Sequence, residues 1–215
     1  MTATFWSWDR VGDLLPTLLE AFVRITLLVT VLGSIIAAVL GLVWAIIGRT
    51  APGWFARPLA FVLDFIRMTP LPMHLLLIYH LTTWNALTIG IVVIGVHYST
   101  YMAESYRAGL EAVPRGQWEA ARALSIPPVR TWRAIAIPQA LRATLPSLGN
   151  WTIAMFKDTP FLIIISVPEM VTRAREYGGD HFAYIEAFMI AGLIFLAASY
   201  PLAVLMRRLE KRLAY

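Results

Sequence analysis

The chain has 215 residues, 59% of them hydrophobic and 14% charged, with a mean hydropathy of +0.67 and a formal net charge of +5. This balance describes a polytopic membrane protein and leaves few residues for any soluble domain. The chain has no cysteine, which excludes a disulfide framework, thiol catalysis and Cys-ligated zinc, and its basic residues lack the interleaved aromatics of a single-strand nucleic-acid platform.

At the N-terminus Asp9, Asp13 and Glu20 stand against Arg10, with no basic stretch ahead of a short apolar core, so a removed signal peptide is not expected. No charge occurs from Ile25 to Gly48. About 24 residues at ~1.5 Å each cover a hydrocarbon core of ~30 Å, which places a first span at about 23–48. Gly33, Ala37 and Gly41 recur every four residues there and form a stripe that lets another helix pack closely. The uncharged run from Met68 to Ala103 is too long for one helix, and the polar segment His80-Leu-Thr-Thr-Trp-Asn85 divides it. Met68 to Leu81 alone is too short to cross, so the second span is predicted over 58–81 with Asp64 and Arg67 inside it, able to pair at i,i+3. The third follows at 86–107. A fourth, 143–168, carries Lys157 and Asp158 in its middle, and a fifth, 184–206, is closed by Arg207, Arg208, Lys211 and Arg212. The predicted fold is all-α: a single transmembrane domain over 1–215 with five transmembrane helices and a loop at 111–142.

Charge sets the expected orientation. Arg49, Arg57, Arg67, the arginines from Arg107 to Arg142 and the four C-terminal cations fall on one side; Arg10, Arg24, Lys157, Arg173 and Arg175 do not. The positive-inside rule then puts the N-terminus outside and the loop and C-terminus in the cytosol, with Trp6, Trp8, Trp54, Trp84 and Tyr184 at the interfaces. Within the loop runs Gly116-Gln-Trp-Glu-Ala-Ala-Arg-Ala-Leu-Ser125, a short helix that starts after Pro114 and must stop before Pro127-Pro128. Its alanines allow close docking in a partner's cleft.

This block resembles the signature loop of type I ABC importer permeases: E-A-A, three residues, G, nine residues, I-x-L-P. Glu119-Ala120-Ala121 keeps the spacing, Ser125 stands at the glycine, and Ile135-Ala136-Ile137-Pro138 closes the pattern with Ile for Leu. Ser125 restricts the turn between the two short helices. Three further segments are similar to the polar amino acid subfamily: Arg67-Met-Thr-Pro-Leu71 for R-G-T-P-L, Tyr101-Met-Ala-Glu-Ser-Tyr-Arg-Ala-Gly109 entering the loop, and Lys157-Asp-Thr-Pro-Phe161 for K-D-T-S-L. The stretches 156–170 and 184–212 look most like permeases of ectoine and hydroxyectoine uptake. His74 stands where that family commonly has Gln, so solute specificity is not carried over.

The resemblance implies a permease subunit of the inner membrane that imports a small polar or zwitterionic solute, an amino acid or ectoine-like. Its implied partners are two ATP-binding subunits, a second permease (a sister chain or a second copy), an extracytoplasmic solute-binding protein and membrane lipid. The chain has no G-x-x-x-x-G-K-[ST] loop, so ATP and Mg belong to the partner and no cofactor is expected on this chain. The coupling residues would be Gly116, Glu119, Ala120, Ala121, Leu124 and Ser125. Two readings stand for Lys157 with Asp158, and for Arg67 with Asp64: contact with a dipolar solute, or a salt bridge that fixes helix packing. Glu104 and His74 are further candidates for the solute path. His74, His80, His97 and His181 have no ligand-like i,i+4 spacing, so no metal site is expected. A membrane-embedded hydrolase would show G-x-S-x-G or H-E-x-x-H, and a secondary transporter often shows internal repeats; neither is visible here.

Overall fold

The uncharged run from Ile25 belongs to a longer helix. In the computed structural model, which describes residues 6–213, α1 (Trp8–Ala21) passes through a π-helical turn (Phe22–Thr26) into α2 (Leu27–Thr50), 43 residues in all. Pro52 stops it. Next come α3 (Gly53–Met68) and α4 (Leu71–Leu81), which meet at a bend of 104°. The single span predicted over 58–81 is therefore two helices. Pro70 has no N–H with which to continue α3, and it holds Thr69 extended at φ −90°, ψ 135°.

Helix α5 (Ala86–Glu111) opens on Asn85, whose side chain accepts from the Thr88 N–H at 2.8 Å. Then follow α6 (Arg115–Ala123), α7 (Pro128–Thr131) and a second π-helical turn (Trp132–Ala136) that leads into α8 (Ile137–Asp158). The segment expected to span 143–168 changes character at Thr159, where Pro160 forces a 3-10 stretch (Thr159–Ile165). Beyond it α9 (Met170–His181) leaves at 51°. Finally α10 (Tyr184–Leu213) runs past Met206, so the four C-terminal cations lie on its last turns rather than beyond it. Among the described residues three helices are long and apolar enough to cross a membrane, and the count reaches five if each bent pair is one span.

The centre of the fold is the α2–α5 contact. A Cβ on Gly41 would lie 2.9 Å from Met102 Cβ and 3.0 Å from the Ser99 carbonyl and the Ala103 N–H, so the Gly33, Ala37 and Gly41 stripe serves backbone approach. Around it Leu75, Ile89, Ile94, Met155 and Leu162 are buried. A second cluster joins Leu14 and Leu18 of α1 to Met170 and Ala174 of α9 and to Ala187 and Ala191 of α10. The two ends of the molecule differ in charge. At one, Arg10 pairs with Glu186 at 3.3 Å; at the other, Arg49 lies over Trp118, and Leu213 shares a cavity wall with Pro114, Pro138 and Arg142. The arginine-rich segments thus gather at one end.

Candidate functional site

Where α3 ends, Asp64 and Arg67 form an i,i+3 ion pair. Arg67 also reaches across to Glu104 of α5 at 3.5 Å, and Glu104 pairs with Arg107, which in turn pairs with Glu111 at 2.9 Å. The charges alternate in sign along one face. The Tyr101 hydroxyl donates to the Arg67 carbonyl at 3.1 Å and pins the helix end just before the bend.

Two cavities meet at this cluster. One, of about 520 Å³, lies between α2, α3 and α5, with Trp44, Arg49, Asp64 and Arg107 in its wall. The other, of about 490 Å³, lies between α5 and α8 and is walled by Tyr101, Ser105, Thr144, Ser147 and Trp151. Arg67 and Glu104 line both. In the second, Trp151 Nε1 donates to Ser105 Oγ at 2.9 Å, Ser105 lies 3.1 Å from Ser147 Oγ, and the Trp151 ring packs on Tyr101 at 4.8 Å. A cation, an anion and hydroxyls on apolar walls form an arrangement that can hold a small dipolar molecule.

Lys157 and Asp158 do not pair with each other. They sit at the C-terminal end of α8, where the 3-10 stretch begins. Asp158 accepts from the Tyr98 hydroxyl at 2.7 Å, while Lys157 is exposed and has no ion-pair partner among the described residues. Tyr98 neighbours Tyr101 at 5.7 Å between ring centroids, so Asp158 is linked to the Arg67 cluster through two aromatic rings. His74 lies apart from the ion-pair cluster, in an apolar cavity of about 350 Å³, with its ring 5.4 Å from that of His97. The His97 ring in turn packs 5.5 Å from Tyr101.

Sequence reasoning did not single out Tyr98, Tyr101, Ser105 or Trp151 as site residues. The available signal was the face of α5: His97, Tyr101 and Glu104 fall at i, i+4 and i+7.

On α6 the face is settled by burial. Glu119 and Ala120 are exposed and Leu124 is 73% exposed, whereas Ala121 is 2% exposed and packs into this chain. Ala121 is therefore not available to a partner's cleft. Ser125 takes the left-handed conformation at φ 50°. The Ile126 N–H donates to the Ala121 carbonyl at 2.9 Å and the Ser125 N–H to the Arg122 carbonyl at 3.0 Å, the paired bonds of a Schellman C-cap in which glycine is preferred. The helix thus ends by backbone geometry before Pro127 is reached.

Membrane-length helices that wall charged cavities, with an exposed basic helix at one end, define a membrane transport component. The chain belongs to the family of binding-protein-dependent transport system inner membrane components, whose profile matches residues 37–215. It is similar to a probable amino-acid ABC transporter permease of Sinorhizobium fredii, 35% identical over 206 residues that cover 94% of this chain and 89% of that protein. The glutamine transport system permease of Escherichia coli is 32% identical over 216 residues, covering 97% and 98%. Among solved structures, an amino acid ABC transporter crystallised with histidines matches at a TM-score of 0.86 and 28% identity, over 96% of this chain and 99% of that one. An inward-facing methionine ABC transporter shares the fold, with a TM-score of 0.79 at 17% identity, over 92% and 97%.

Proposed function

We propose that this permease passes a small zwitterion, an α-amino acid or an ectoine-like solute, through a path that includes the two cavities at Arg67 and Glu104. The observation that carries this reading is the opposed charge pair on a wall shared by both cavities, which offers a carboxylate and an amine their complements at one place. The chain acts with a second permease, two ATPase subunits that hold ATP and Mg, and an extracytoplasmic binding protein that delivers the solute. Helix α6 receives the ATPases in the cytosol; the chain crosses five times, with its N-terminus outside. Closure of the ATPases favours one of two arrangements of the helices, and the solute crosses as access alternates.

The test is ATP-dependent uptake by the reconstituted complex, offered radiolabelled L-glutamine, L-arginine, L-cystine and ectoine. Arg67→Met and Glu104→Gln each remove one charge-assisted contact, typically ~1.5 to 3 kcal/mol, and reduce uptake of the accepted solute about ten-fold or more. Unchanged uptake in both variants would sink the assignment. Orientation is read by impermeant thiol labelling of intact cells, with Asp180→Cys reactive and Val129→Cys protected. The reverse pattern overturns the topology.

A further inference from the structure

Trp118 lies where two helices that wall the cavities come together. Its indole is half-buried against the main core. The Arg49 guanidinium, on the last turn of α2, stands over it at 5.1 Å from the ring centroid. Trp132, the first residue of the π-helical turn that leads into α8, meets it edge to face at 5.2 Å. Both neighbours continue into cavity walls. Helix α2 gives Trp44, Gly48 and Arg49 to the larger cavity, and α8 gives Thr144, Ser147 and Trp151 to the smaller. Within α6 itself, Ala121 is the buried residue.

We propose that Trp118 is the positioning residue that transmits a displacement of α6 to both cavity walls together. The proposal rests on the reading of α6 as the ATPase dock. A planar ring with two side-chain torsions, packed between an arginine and a second indole, cannot absorb a push by changing rotamer as a flexible side chain can, and close-packed interiors transmit strain. The indole Nε1 is buried without a hydrogen-bond partner among the described residues. Its contacts among the described residues are thus made through its face to Arg49 and its edge-to-face packing with Trp132. A push on α6 thus arrives at α2 and α8 together. Leu124 points outward and has no such role.

The experiment uses the permease with its ATPase and binding protein in liposomes, measuring ATP hydrolysis and uptake of radiolabelled L-glutamine, or of whichever of L-arginine, L-cystine and ectoine the unaltered complex accumulates. Trp118→Leu keeps apolar bulk but removes the ring. It leaves co-purification and ATP hydrolysis within about two-fold and lowers solute carried per ATP about ten-fold, while Trp118→Phe restores it to within about three-fold. Trp132→Leu gives the same uncoupling, and the double variant is no worse than the worse single. Unchanged solute per ATP in Trp118→Leu, or Phe as poor as Leu, overturns the proposal. Loss of co-purification in Trp118→Leu also overturns it, since the residue would then belong to the dock. If the unaltered chain does not bind its ATPase, the dock reading fails and the relay with it, an outcome that the unaltered arm alone identifies.

Discussion

Leu124 stands 73% exposed at the C-cap of α6, at the arginine-rich end of the molecule. Moving a leucine side chain from full exposure into an apolar cleft is worth about 1.5 to 3 kcal/mol, so burying the exposed three-quarters contributes about 1 to 2 kcal/mol per docked helix. Leu124→Ala removes most of that area, and the permease should bind its ATPase about 5- to 30-fold more weakly. The assay is a titration of ATPase onto nanodisc-embedded permease, with helix content followed by circular dichroism. Leu124→Met, which conserves volume, should recover affinity to within about two-fold. Ala121→Trp is a poor probe of the same dock, because at 2% exposure it breaks this chain's own packing before any partner arrives. An unchanged affinity in Leu124→Ala, with helicity intact, would refute the assignment of α6 as the docking helix.

Three further outcomes follow from named contacts. Ser125→Gly relieves a left-handed residue, worth about 1 to 2 kcal/mol, partly offset by the greater entropy of glycine in the unfolded chain; the net gain of about 0.5 to 1 kcal/mol should raise Tm by about 1 to 4 °C, and no rise would contradict the cap geometry. Gly41→Leu must push α5 away from α2 and destabilise by about 1 to 3 kcal/mol or more, whereas Gly48→Ala, whose new Cβ meets nothing within 4 Å, should be neutral or stabilising by up to about 1 kcal/mol; equal melting of the two would be incompatible with the packing described. Asp158→Ala strands the buried Tyr98 hydroxyl and should lower stability by about 1 to 3 kcal/mol, while Lys157→Met, at an exposed side chain without an ion-pair partner among the described residues, keeps the Tm; an equal loss of Tm in both would show a structural role for each.

Helices α2 and α5 are legible because an uncharged run of hydrocarbon length has few other uses. Length is blind to bends. Residues 58–81 suffice to cross, yet Pro70 removes a donor in the middle and yields α3 and α4 at 104°. The same blindness hides α9: its Arg173, Arg175 and Glu176 make the segment read as loop, although its apolar stripe of Met170 and Ala174 packs on α1 and α10. In the site, Arg67, Glu104 and Asp158 stand out as charges among apolar neighbours. Tyr98 and Tyr101 do not, since a tyrosine in a helix has an ordinary explanation as core, and only the fold shows their hydroxyls engaged by Asp158 and the Arg67 carbonyl. On α6, composition offers two adjacent alanines and no means of choosing between them. The three-residue step from Trp118 to Ala121 marks the inward face.

The two π-helical turns have a consequence for which changes of length the chain can bear. Buried positions on α1 and α2 step by three or four residues, 11, 14, 18 and 21, and then jump five to Thr26 before resuming at 29, 30, 33 and 37. The second turn repeats this, from Thr131 to Ala136 and then to Ala140 and Thr144. Each turn thus accommodates one surplus residue while the inward stripe stays continuous. Deleting a single residue from 22–26 would shorten the step of five to one of four, which an ordinary helix keeps on one face, so Leu14 and Leu18 would still meet α9 and α10; a deletion between Leu18 and Ala21, where no wide turn absorbs it, would rotate everything before it by about 100° and turn them away. A one-codon loss inside the turn is therefore borne without reorienting a helix face while the same loss a turn earlier is not, and a homologue that lacks the surplus residue keeps its N-terminal apolar stripe in phase with α2.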